Sequence, residues 1–332
     1  MQTEDRWLGL RNWIYAVWYE NGKGGWLLAP LEVLFRLIAS ARRGAYRVGI
    51  KRSTKVGAPV VVIGNLTVGG AGKTPLVGWY AREARRAGWQ PAIISRGYGG
   101  AEPDEPLRVT RETPVEESGD EAAMLAQQTG LPVYICRHRV KAGLRAVSDG
   151  ANIVFADDGL QHYALARDVE IVVVDAAKRF GNNHCLPWGP LREPASRLDS
   201  VDLVVMSGES TQTPGYTLDI EVAENAQSGK RVALSQFADT TVHAIAGIGH
   251  PQRFFSALVR FGLQVIPIAP GDHGVVDDSV LLDTDKTFLM TEKDAVKYNN
   301  LGRQHWIVPG HLKMTDASQE KLLSILPTRE KS

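Results

Sequence analysis

The stretch TVGGAGKTP, residues 67–75, decides the reading of this chain. It is one residue short of the phosphate-binding loop G-x-x-x-x-G-K-[ST]. Gly72, Lys73 and Thr74 fit that pattern, but Thr67 stands where its first glycine belongs. The context is right on both sides. PVVVIG (59–64) is a short apolar, β-branched run that predicts a buried strand, and residues 74–87 read as a helix. A strand, a glycine-rich loop and a helix start together aim backbone N–H groups and a partial positive charge at one point. Thr67, Val68, Gly69, Gly70, Ala71, Gly72, Lys73 and Thr74 are therefore the expected nucleotide cradle. Lys73 is expected on the β- and γ-phosphates and the Thr74 hydroxyl on Mg²⁺.

Further short apolar runs follow at α/β spacing: PAIIS (91–95), NIVFA (152–156), EIVVVD (170–175) and DLVVM (202–206). They predict a mostly parallel sheet with helices on both faces, as in P-loop nucleotide hydrolases. GDEAAMLAQQ (119–128) reads as a helix. A linker is expected near 207–215. Beyond it VHAIAGIG, PQRFFSALVRFG, LQVIPIA, TFLMT and HWIVP predict a second, smaller α/β domain. The expected domains are 1–55, 56–210 and 211–332.

A P-loop protein needs an acidic residue at a neighbouring strand end to hold magnesium. NIVFADDGLQH (152–162) offers Asp157 and Asp158 there, where ligands bind in open α/β sheets. His162 follows, with a structural or a ligand role both open. SRGYGG (95–100) also follows a strand, which makes Arg96 and Tyr98 candidates for substrate contact, Arg96 through a bidentate phosphate bond.

Composition narrows the class. Of 332 residues 44% are hydrophobic, and the net charge of +1 argues against bulk nucleic-acid binding. Two cysteines without a C-x-x-C argue against a disulfide framework or a zinc site and fit a reducing cytosol. No cleavable signal peptide is read at the start. Four of the eight tryptophans (Trp7, Trp13, Trp18, Trp26) precede residue 27. WLLAPLEVLFRLIAS (26–40) is too short and too interrupted to span a bilayer. On a helix, Glu32, Arg36, Ser40 and Arg43 form one narrow polar strip on an otherwise apolar surface. Six basic residues and no acidic one follow between Arg42 and Lys55. The expectation is an interfacial helix with a polybasic tail, each basic residue worth roughly 1 kcal/mol near an anionic leaflet.

These features alone leave open a soluble P-loop ligase or synthetase, or a membrane-tethered nucleotide switch. TEKD (291–294) has the wrong spacing for the guanine-reading motif, which favours ATP over GTP.

GNLTVGGAGKTP, SRGYGG, SGDEAAML, ADDGLQH, LPWGPLREP, GDH and TEKDAVK stand between Gly64 and Lys297 in the order of the tetraacyldisaccharide 4'-kinases, and the chain resembles that family. A Thr or Ser at position 67 is typical of it. The resemblance implies transfer of the ATP γ-phosphate to the 4'-hydroxyl of an acylated glucosamine disaccharide 1-phosphate in lipid A biosynthesis. It implies a peripheral protein on the cytoplasmic face of the bacterial inner membrane, in agreement with the reading of residues 7–55. It assigns Asp120, at the helix start in SGDEAAML, as the base, with His273 of PGDHGVV as its partner. It places Glu193 in the magnesium region with Asp157 and Asp158. Arg192, beside it, is a further substrate candidate. Trp188 is expected to contact lipid or ligand. One departure stands out: Val276 occupies a position that is usually aromatic in the family.

Overall fold

The computed structural model describes residues 2–210, 214–271 and 273–328. Residues 211–213 of the expected linker, Asp272 of the GDH motif and the side chain of Trp7 lie outside the described residues.

The apolar runs form strands β1 (Val60–Gly64), β2 (Pro91–Ser95), β3 (Leu107–Val109), β4 (Val133–Ile135), β5 (Ile153–Asp157), β6 (Val169–Asp175) and β7 (Leu203–Ser207). Then come β8 (Gly215–Asp219), β9 (Val222–Asn225), β10 (Arg231–Ala233), β11 (Thr241–Ile245), β12 (Gln264–Ile268), β13 (Phe288–Thr291), β14 (His305–Val308) and β15 (His311–Met314). Among the described residues one sheet has the order β15-β8-β7-β6-β1-β5-β2-β4-β3 and a second the order β10-β9-β14-β13-β11-β12.

In the larger sheet β1 lies between β5 and β6, and all three run parallel. The strand period of two explains its burial. Val61 and Ile63 enter one core with Leu76, Tyr80 and Leu125 from the helices Lys73–Arg86 and Asp120–Thr129. Val60 and Val62 enter the other with Ala142 and Ala146 from the helix Arg139–Ser148. With helices on both faces, no position of β1 meets water, so its sequence is continuously apolar.

The expected cut at 210/211 does not follow sheet membership. β8 pairs with β7, and β15 returns from the far end of the chain to pair with β8. The helix Asp316–Ser324 follows it, and the Tyr80 hydroxyl donates to Leu322 O at 2.7 Å. The second sheet is thus built from residues 222–308, inserted between the last two strands at one side of the first, β8 and the edge strand β15. Alternation in YTLDIEVA marks strands, but not which sheet they join.

At the N-terminus the helix Gln2–Tyr19 leads through a turn, Gly25–Leu28, to the helix Ala29–Arg47. That second helix docks through Glu32, Phe35 and Arg43, while Arg36 and Ser40 of the polar strip stay exposed. Glu32 is buried; its carboxylate takes a hydrogen bond from Cys185 N at 2.9 Å and pairs with His184 Nδ1 at 3.0 Å. Arg43 donates to Ser200 Oγ at 2.7 Å. Trp26, Leu27, Leu31, Leu34, Leu37 and Ile38 are left exposed on the outside. Trp188 stacks on His184 with ring centroids 3.6 Å apart. It lies so close under Gly25 that a Cβ there would stand 2.7 Å from its Nε1. This tryptophan seats the N-terminal segment on the body. Among the described residues no helix is long and apolar enough to cross a membrane.

Candidate active site

The loop after β1 is prearranged from beneath by Asn65, a buried residue that the sequence reading did not single out. Its Nδ2 donates to Thr67 O at 2.9 Å and Gly69 O at 3.3 Å, and its Oδ1 accepts from Lys73 Nζ at 2.9 Å. The altered entry has a structural reason. Thr67 bridges Leu191 in antiparallel fashion, Val68 N donates to Pro190 O at 2.8 Å, and Arg192 N donates to Leu66 O at 2.6 Å. The entry is extended backbone held by the LPWGPLREP segment, so it needs no glycine. Positive φ begins at Gly69 (101°) and recurs at Gly72 (77°). Gly72 also allows close approach: a Cβ there would meet Ser207 Oγ at 2.6 Å, and the Tyr216 hydroxyl donates to its carbonyl. Val68 through Thr74 line a cleft of about 1560 Å³ between the two units; Thr67 lies behind it.

The two carboxylates at the end of β5 have opposite environments. Asp157 is buried, and its Oδ2 accepts from Thr74 Oγ1 at 3.3 Å. Its Oδ1 is buried with no hydrogen-bond partner among the described residues. Burial, reinforced by the charge of Glu121, pushes its pKa up to about 7. For Asp158 burial pulls upward too, but Lys73 at 3.4 Å and Arg192 at 3.0 Å outweigh it and hold the pKa at about 2. The orphaned Asp157 oxygen beside the Thr74 hydroxyl fits a magnesium ion that takes its remaining ligands from phosphates and water. Asp158 is occupied as a counter-ion for Lys73 and Arg192. Glu193 does not line the cleft, although its Oε1, like Asp157 Oδ1, is buried with no hydrogen-bond partner among the described residues. It is buried off the cleft, accepting from the Tyr163 hydroxyl at 2.7 Å with Arg197 Nε at 3.4 Å. Among the described residues no group of three or more His, Cys, Asp or Glu side chains forms a metal cage.

Asp120 and His273, 153 residues apart, meet across the two units. Asp120 is buried at the first turn of its helix, and His273 Nδ1 lies 2.9 Å from Oδ2 and 3.0 Å from Oδ1. His273 has φ 62°, and its ring meets Tyr98 edge-on at 5.4 Å. Lys293 Nζ and Lys297 Nζ stand 3.7 and 3.9 Å from Asp120 Oδ2. The TEKDAVK motif thereby gains a role. Asp294, fully buried, accepts from Gly247 N, from Thr291 Oγ1 at 2.6 Å and from Lys297 at 2.8 Å. It anchors Lys297 beside Asp120. Val276 is buried, and its N–H donates to the Tyr298 hydroxyl at 2.9 Å, so an aromatic residue from further along the chain packs at this position.

Arg96, Tyr98 and Arg192 all line the cleft. Arg96 is half-exposed, with Glu102 at 2.7 Å. His162 also lines it, and burial together with nearby arginines lowers its pKa to about 4, so it is neutral at pH 7. Sequence reasoning missed Lys293 and Lys297 as neighbours of Asp120, and Asp175 and Arg253 on the lining of the cleft. For the lysines, the TEKDAVK motif itself held the only available signal.

The family model described as tetraacyldisaccharide-1-P 4'-kinase matches residues 25–327. Tetraacyldisaccharide 4'-kinases of Methylobacillus flagellatus and Nitrosococcus oceani are 42% and 44% identical to the chain, over 95% and 94% of it and 96% and 94% of their own lengths. The solved structure of an "apo" form of LpxK from Aquifex aeolicus, in complex with ATP, is similar with a TM-score of 0.76. It shares 26% identity, covering 90% of this chain and 98% of that one. Fold, motif order and near-complete coverage agree: the chain belongs to the tetraacyldisaccharide-1-P 4'-kinase family and is an ATP-dependent kinase.

Proposed function

We propose that the chain transfers the γ-phosphate of ATP to the 4'-hydroxyl of an acylated glucosamine disaccharide 1-phosphate, with Asp120 as the base. The observation that carries this reading is the Asp120–His273 pair, which joins the two units beside the cleft that holds the phosphate loop, with His273 on the cleft lining. A sugar hydroxyl needs its proton removed as it attacks, and a buried carboxylate held by His273 is positioned to accept it. The acceptor oxygen bonds to the γ-phosphorus as the bond to the ADP oxygen breaks. Lys73 and the loop N–H groups stabilise the charge on the phosphate oxygens. Thr74 and Asp157 would hold Mg²⁺, which supplies further neutralisation there. Arg96, Tyr98 and Arg192 are proposed substrate contacts.

The acyl chains call for a lipid surface. The N-terminal segment leaves Trp26, Leu27, Leu31, Leu34, Leu37 and Ile38 exposed while it buries the carboxylate of Glu32, the reverse of a helix packed on a soluble core. We assign it as an interfacial anchor on the cytoplasmic face of the inner membrane, with Arg42 to Lys55 against anionic headgroups. The six basic residues contribute at most about 6 kcal/mol. The test is incubation with γ-labelled ATP, Mg²⁺ and an acylated disaccharide 1-phosphate. Label is expected on the 4'-oxygen of the lipid; label released only as inorganic phosphate would overturn the reading.

A further inference from the structure

The second unit carries Arg253 on the first turn of the helix Pro251–Arg260, and its Nη2 lies 3.2 Å from Asp175 Oδ1. Asp175 ends β6, the strand beside β1, and its register partner on β7 is Ser207. Ser207 Oγ in turn lies against Gly72 of the phosphate loop. Guanidinium, carboxylate, hydroxyl and loop therefore form one contiguous row, and all of them line the same cleft.

Two features make this ion pair exchangeable. The Arg253 side chain is 51% exposed, so water can take over its guanidinium when it leaves the buried Asp175. Asp175 Oδ1 also accepts from Ala177 N at 2.9 Å and Lys178 N at 3.0 Å, so the carboxylate remains satisfied when the arginine leaves. Charge supply points the same way. Arg192 is paired with Asp158, and Lys293 and Lys297 flank Asp120. Lys73 approaches the phosphates from the loop itself. In-line transfer spreads charge over three equatorial oxygens, more than one lysine covers; Arg96, Arg139 and Arg192 also line the cleft, but Arg253 is joined to Gly72 of the loop through Asp175 and Ser207.

We propose that Arg253 is a catalytic residue: on ATP binding its guanidinium leaves Asp175 and binds the transferring phosphoryl group as a finger supplied by the second unit. Arg253 makes and breaks hydrogen bonds only; the covalent changes remain those at the acceptor oxygen, phosphorus and ADP. The proposal rests on the phosphoryl-transfer reading above and adds a means of coupling the meeting of the two units to chemistry.

The test uses full-length protein in detergent with Arg253→Ala, Arg253→Lys and Asp175→Asn, each checked for an unchanged melting temperature. kcat is measured together with affinity for ADP alone and for ADP with Mg²⁺ and aluminium fluoride, a mimic of the planar phosphoryl group. Removal of an arginine finger costs about 10³-fold or more in kcat. Arg253→Ala is expected to show that loss, to bind ADP nearly as wild type does, and to lose the tight fluoride complex. Arg253→Lys restores little, because an ammonium lacks the planar fork. Asp175→Asn keeps the guanidinium and is expected to lose far less in kcat than Arg253→Ala. Equal losses in Arg253→Ala and Asp175→Asn, with a double variant no worse, would make the pair a structural clasp and overturn the proposal. So would parallel losses of ADP and fluoride binding, or a wild-type rate in Arg253→Ala. A wild-type protein that never labels the acceptor would instead refute the kinase reading.

Discussion

Replacing Asp120 by Asn keeps its volume and removes its charge, and the surrounding contacts set the size of the effect. Losing one partner of a buried ion pair costs about 3–5 kcal/mol when the remaining charge is stranded. Here the lysines are not stranded. Lys297 keeps Asp294 at 2.8 Å and Lys293 keeps Glu121 at 3.6 Å. The expected stability loss is therefore at or below the low end of that range, and the variant folds. Catalysis suffers far more. Loss of a positioned base lowers kcat by roughly 10²–10⁴. His273→Ala should cost a comparable or smaller factor, because His273 acts through Asp120. The double variant should lose much less than the product of the two, since groups that act as a unit are not additive. ATP affinity should hardly change, neither residue belonging to the phosphate loop. Steady-state kcat for the two singles and the double, with nucleotide affinity measured by calorimetry, gives the cycle. Independent multiplication, or wild-type turnover in Asp120→Asn, would refute the reasoning.

Three other outcomes are expected from particular contacts. Glu32→Ala strands Cys185 N–H and His184, and with hydrogen bonds to a charged group worth about 1.5–3 kcal/mol it should lower the melting temperature and expose residues 20–45 to protease; an unchanged temperature would contradict the docked helix. Asp157, raised to about 7, is protonated in the fold and ionised in the unfolded chain between the usual carboxylate pKa and 7. Its contribution to stability is full at low pH and lost as pH rises through about 7, so without Mg²⁺ Asp157→Asn should stabilise the protein most at pH 8. Magnesium affinity should correspondingly weaken below pH 7, and a pH-independent affinity between 6 and 8 would remove Asp157 as a ligand. Leu34→Glu with Leu37→Glu should abolish flotation with anionic vesicles, while high salt weakens wild-type binding only in part; undiminished flotation of the double variant would put the membrane contact elsewhere.

The phosphate loop was legible because a β-branched run, glycines and G-K-T describe one local geometry, and local geometry is what neighbouring residues encode. The larger sheet was legible for the same reason: short runs with no polar face require cover on both sides. Its limits were not legible. β8 and β15 carry ordinary alternation, and nothing in 215–219 or 311–314 says that they pair with each other and not with the second sheet. The polar strip Glu32, Arg36, Ser40, Arg43 was visible as a pattern, yet the burial of Glu32 alone among them depends on an N–H at Cys185, 153 residues away. Asp120 and His273 came from resemblance alone. Asn65 escaped because its importance lies in four side-chain hydrogen bonds around one loop, a geometry that has no composition signal.

The proposed chemistry depends most on the altered loop being a working phosphate cradle. The direct measurement is single-turnover transfer from γ-labelled ATP to the acylated disaccharide 1-phosphate by wild type and by Lys73→Ala. Lys73 faces Asn65 and Asp158 and not a hydrophobic core, so its truncation leaves no apolar cavity. A working cradle predicts a folded variant with essentially no labelled lipid. A folded Lys73→Ala protein that turns over at a near-normal rate would contradict it.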